Sequence, residues 1–142
     1  MPESRMARAL QADFPAGLVW LADYTDESKD ERSVRVDQKN GTVIADRTRS
    51  LDATLAGFSE TMQENTLPAG ARDIGGGDYY RHLTGVVRVI EERAGRAGTA
   101  VARYVAPGAD HYAHAENYCW VATQAAGTTS LGVAIGRGTK GW

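Results

Sequence analysis

"RSVRVDQKNGTVIADRT", residues 32–48, alternates apolar and polar side chains on both sides of a polar turn that ends in Asn40-Gly41. A two-residue Asn-Gly turn would set Asp37 opposite Ile44 and mix the two faces. A longer loop, residues 38–41, sets Val36 opposite Val43 and Val34 opposite Ala45, so that all four share one face. The spacing therefore predicts an antiparallel hairpin, 32–37 with 42–47. Gly41 is expected at positive φ, which a residue without Cβ adopts at little cost.

Apolar spacing sets the neighbouring elements. Met6, Leu10 and Phe14 recur at helical intervals and predict a short helix over 5–14, stopped by Pro15. "GLVWLADYT" (17–25) reads as a strand, and the charged "DESKDER" after it as a loop. Leu51, Leu55, Phe58 and Met62 predict a helix within 50–65, with Ser50 as its cap and Gly57 as a weak point. "LPAGARDIGGGD" (67–78) is loop by composition. "DYYRHLTGVVRVIEERA" (78–94) predicts a helix capped by Asp78 and ended by Gly95, with Tyr79 or Tyr80, Leu83, Val87 and Ile90 on its buried stripe. Three strands are expected after it, at 98–106, 116–124 and 128–136. The short "AAG" connection would join the last two as a hairpin.

This order predicts an α+β fold, an antiparallel sheet of five to six strands with helices packed on one face. The 142 residues suit one domain. An N-terminal helix would occupy 1–16, the core of sheet and helices 17–136, and a tail 137–142. A formal net charge of -2 offers no basic field for nucleic acid or an anionic membrane. The longest apolar run is far below the roughly 20 residues of a membrane helix. The first residues lack the apolar centre of a secretory signal. Cys119 is the single cysteine, so no internal disulfide or paired-cysteine zinc site is expected, and a cytoplasmic location is favoured.

Beyond composition, "VRVDQKNGTVIAD" resembles the "dkdGtvlah" hairpin of Cache domains, the PAS-like sensors of chemoreceptors and histidine kinases. "LDATLAG" follows where those domains carry an "npelvGk" segment. "GGDYYRHLTGVVRVIEERAGRAGTAVARYVAPG" resembles their next block, with Tyr104 and Pro107 where an aromatic and a proline usually sit. "ENYCWVATQAAGTTSLGVAIGRG" resembles the closing hairpin, although "HAEN" stands where the family often has a lysine. The resemblance spans about residues 33–138. It implies a PAS/Cache-like fold and a non-enzymatic sensor for a small polar ligand, acting through a homodimer or a signalling partner. The ligand would lie between the helix at 78–94 and the sheet, against Tyr79, Arg81, His82, Tyr104 and Tyr118.

Other residues invite chemistry, each with a plainer alternative. His111 and His114 with Asp110 or Glu116 could bind a metal, but a three-residue spacing on a loop fixes no geometry, and a solvated loop is the alternative. Cys119 needs a base and exposure to act as a nucleophile; packing as a small hydrophobe is the commoner role. "GGG" (75–77) lacks the lysine of a phosphate loop. Neither a metal nor a cofactor is expected. Two rival functions remain open: a structural or assembly protein, such as a virion component or complex subunit, and a small enzyme using Cys119 or the His111/His114 loop.

Overall fold

A computed structural model describes residues 2–26, 32–59, 61–62, 65–92 and 100–128. The chain opens with helix α1 (Pro2–Ala12) and strand β1 (Leu21–Thr25). The hairpin follows as β2 (Val34–Asp37) and β3 (Thr42–Asp46), in the expected register, with Val34 opposite Ala45 and Val36 opposite Val43. Asp37 closes the turn by accepting from the Asn40 backbone and side-chain amides at 3.1 and 2.7 Å. The hairpin then places β3 beside β1, paired in parallel, so the sheet runs β1-β3-β2.

Gly41 has φ +58°, the left-handed region the turn was expected to need. A Cβ there would stand 2.6 Å from Gln11 Nε2. That amide donates to the Gly41 and Val19 carbonyls at 2.8 and 2.9 Å and ties α1 to the turn. Gly41→Val is therefore expected to destabilise the fold by roughly 1–3 kcal/mol, through strain and loss of this tie. A urea midpoint equal to that of the wild type would contradict this account of the turn.

Asp46 caps helix α2 (Arg47–Ala56), its side chain accepting from Arg49 N at 2.9 Å. The cap thus falls four residues before Ser50, which is fully buried inside the helix, and α2 ends at Gly57. A kinked 3-10 segment (Ala71–Gly77) holds Gly75, Gly76 and Gly77 at positive φ and leads into helix α3 (Asp78–Thr84). Gly77, not Asp78, occupies the cap position of α3. The chain then forms an antiparallel pair, β4 (Val87–Glu92) and β5 (Ala100–Val105). Helix α4 (His111–Thr128) follows.

The fold is α+β, but not the single antiparallel sheet expected of a PAS/Cache-like domain. Among the described residues it has five strands in two sheets, of three and two strands. Two readings account for the difference. The helix expected over 78–94 stops at Gly85, because Val86, Val87, Val89 and Ile90 crowd a helix and suit a strand. The strand expected at 116–124 belongs to α4 instead. Asp110 precedes it, its carbonyl accepting the first helical bond from His114 N at 3.1 Å. Ala113, Asn117, Val121 and Ala125 follow at intervals of four and are all buried. The strand expected at 128–136 lies, apart from Thr128, outside the described residues, as does the tail 137–142.

The core lies between α4 and one face of the three-stranded sheet, where Val34, Val43 and Ala45 meet Val121 and Ala125. Trp20, Tyr24, Val36 and Trp120 pack around them. Helix α2 packs against α4, β3 and β5. Helix α1 is inverted relative to the usual amphipathic arrangement. Its Arg8 donates to Asn40 O and Thr42 Oγ1, at 2.5 and 2.9 Å. Its apolar stripe faces outward, with Met6 75% and Leu10 57% exposed.

Candidate functional site

The five residues expected to line one pocket do not converge. Tyr79 and His82, on α3, are buried against α4. The Tyr79 hydroxyl donates to Glu116 Oε1 at 2.6 Å, and its ring meets Tyr112 edge-on. Burial first, and then the bond to Glu116, raises its pKa. The His82 ring lies 5.3 Å from Tyr112 and 5.8 Å from His111. Arg81 is exposed and pairs with Asp78 on its own helix. Tyr104, on β5, donates to Asp52 Oδ1 at 2.8 Å, and Arg88 Nε donates to the same oxygen at 2.9 Å. Tyr118 stacks on Tyr24, ring centroids 5.4 Å apart.

The alternative metal ligands also separate. His111 faces His82, Glu116 takes the Tyr79 hydroxyl, and His114 turns towards Tyr24 and Asp110. Among the described residues no group of three or more His, Cys, Asp or Glu is placed to hold a metal ion. Cys119, expected as core, is exposed. On a helix it points about 200° away from Asn117, so it falls opposite the buried stripe.

Two features of α4 stand out. The first is a polar network. The fully buried Asn117 amide donates to Tyr24 Oη at 2.8 Å and to Ser50 Oγ at 3.0 Å. The Thr54 hydroxyl is shared between Ser50 O and Asn117 Oδ1, each at 2.9 Å. Tyr24 Oη also lies 3.5 Å from His114 Nδ1. His114 Nε2 lies 3.2 Å from Asp110 Oδ2. The network joins β1, α2 and α4. Its serine is fully buried and donates to Arg47 O, so it is not presented to a substrate.

Burial raises the Tyr24 pKa to about 12, against a smaller opposing effect of the Asn117 bond. Burial and Asp52 raise that of Tyr104 to about 12 as well. Between the ordinary value of 10.0 and about 12, the folded chain keeps protons that the unfolded chain has released. Stability is therefore complete below about pH 10 and falls as the pH rises towards 12. Urea midpoints taken across this range should show the decline, and Tyr24→Phe with Tyr104→Phe should reduce it, Tyr79 supplying the remainder.

The second feature is a cavity of about 470 Å³ between α4 and the sheet. Trp20, Ala22, Val36 and Val43 form one wall, and Tyr118, Val121, Ala122, Ala125 and Ala126 the other. The three alanines leave the room, and the Trp20 and Tyr118 rings flank it. Apart from Tyr118, sequence reasoning missed this lining, because a strand at 116–124 sends Val121 and Ala122 to opposite faces. The four-residue spacing of Ala113, Asn117, Val121 and Ala125 was the available signal.

No protein-family model matches the chain, and no curated protein or solved structure matches it either. Among the described residues, no helix is long and apolar enough to cross a membrane.

Proposed function

We propose that this chain is a non-catalytic binding module that takes a small, flat, largely apolar molecule between α4 and the three-stranded sheet. The cavity described above carries the reading. Its volume, about 470 Å³, lies within the roughly 300–1,000 Å³ of small-molecule sites. The alanine surface of α4 suits a planar ring, and the Trp20 and Tyr118 rings supply aromatic walls. The Tyr118 hydroxyl adds a polar tip that can orient one end of the ligand. This replaces the small polar ligand expected near α3, whose side chains are occupied with one another. Indole, titrated into ¹⁵N-labelled protein, tests the site. Saturable amide shifts at Ala22, Val43, Val121 and Ala125 support it, and shifts confined to other regions contradict it.

The outward apolar stripe of α1 favours a second reading, a subunit of an assembly that docks through this helix. Phe14 (43%) and Leu18 (66%) extend the exposed stripe beyond the helix. A chain that sediments as an oligomer, and as a monomer after Leu10→Glu, would support it. A wild-type monomer at high concentration would exclude self-assembly through α1.

A further inference from the structure

Arg47, the first residue of α2, has bonding capacity that the fold leaves unspent. Its Nη2 lies 3.4 Å from His114 Nε2. That nitrogen also faces Asp110 Oδ2, at 3.2 Å. Arg47 Nε is buried without an acceptor. No ion pair joins Arg47 to a carboxylate among the described residues. A buried donor on a charged group is rarely left unpaired in a native fold.

Arg47 lines a cleft of about 210 Å³ between the start of α2 and β5. Thr48, Val101, Ala102, Arg103, Tyr104 and Asp26 complete the lining. The other polar groups from α2 and β5 are mostly committed. The Thr48 hydroxyl donates to Ala102 O at 3.1 Å, and Tyr104 donates to Asp52. Arg103 pairs with Glu91 at 2.5 Å on the surface. Asp26 is exposed, and its carboxylate has no ion pair among the described residues. The cleft therefore offers one cation in need of an anion and one carboxylate able to accept from a donor.

We propose that this cleft binds a small monocarboxylate bearing a hydroxyl or amino group at its other end. The ligand carboxylate meets the Arg47 guanidinium, whose planar fork matches its geometry. The hydroxyl or amino group donates to Asp26. Charge selects against phosphate: Arg103 is offset by Glu91, and the Asp26 carboxylate lines the same cleft, so the second negative charge of a dianion is repelled there. Volume selects for a ligand of few atoms, since the cleft is smaller than the roughly 300 Å³ at which drug-sized sites begin. The inference is independent of the apolar cavity, which shares none of these residues.

Side-chain ¹H–¹⁵N spectra of the full chain provide the test, because a buried Arg Nε–H exchanges slowly enough to be seen. Glycolate, acetate and inorganic phosphate are titrated separately at pH 7. The Arg47 signal is expected to move saturably with glycolate, and with acetate at several-fold higher concentration. Phosphate is expected to leave it unmoved over the same range. Arg47→Lys keeps the charge without the fork and should weaken glycolate binding at least tenfold. Asp26→Asn, at an exposed position that does not endanger folding, should erase the preference of glycolate over acetate. An Arg47 signal unmoved by all three anions would overturn the proposal. So would phosphate binding as tight as that of glycolate, unchanged affinity in folded Arg47→Lys, or an undiminished glycolate preference in Asp26→Asn.

Discussion

Asn117→Ala is expected to lower the unfolding free energy by roughly 2–4 kcal/mol, since each buried polar group stripped of its partner costs about 1–3 kcal/mol. The side chain is fully buried and makes three bonds, to Tyr24, Ser50 and Thr54. Its removal takes from the Ser50 hydroxyl and from Tyr24 Oη their shortest donor and leaves the buried Thr54 hydroxyl only Ser50 O. It also leaves a void between β1, α2 and α4. The energy belongs to a network, so a double-mutant cycle with Thr54→Val should give less than the sum of the two single effects. Additive effects from urea denaturation would show that the bonds act independently.

Leu51→Ala is expected to cost roughly 2–5 kcal/mol, the range for deleting most of a buried leucine side chain. Leu51 is 1% exposed and lies on α2 where the helix packs against its neighbours. Leu51→Met keeps the volume and should cost less than about 1.5 kcal/mol. A large loss in both variants would show that shape, rather than buried apolar volume, governs this position. For a domain of marginal stability, either large loss should be visible as a clear fall in the denaturant midpoint.

What could be read from the sequence followed how local the determining physics was. The hairpin was legible to its register, because alternation on both strands and Gly41 all constrain the same turn. Leu51 on a buried helical stripe was legible for the same reason, although Asp46 competed with Ser50 as cap and won. Residues 85–92 were not, because Leu83, Val87 and Ile90 fit a helical stripe while the β-branched neighbours fit a strand. Residues 116–124 alternate well enough to pass as a strand, and only the longer window from Ala113 to Ala125 shows the period of four. Reading that segment as a strand hid most of the apolar cavity and the role of Asn117. It also moved the expected site to α3, where Tyr79 and His82 are instead packing and hydrogen-bonding groups. The unpaired Nε of Arg47 was not legible at all, since it depends on how α2, α4 and β5 pack around that side chain.

The binding account rests on the cavity between α4 and the sheet, and one measurement reaches it directly. A thermal-shift screen of small aromatic molecules would be run on the full chain and on Ala122→Trp side by side. Ala122 lies on the exposed side of the cavity, so a tryptophan there should fill the space while the protein still unfolds cooperatively at a similar temperature. A specific ligand stabilises the folded state by mass action. The account predicts compounds that raise the wild-type Tm in proportion to the logarithm of their concentration and leave that of Ala122→Trp unchanged. Compounds that shift both proteins equally, or a screen in which none shifts the wild type, would contradict it.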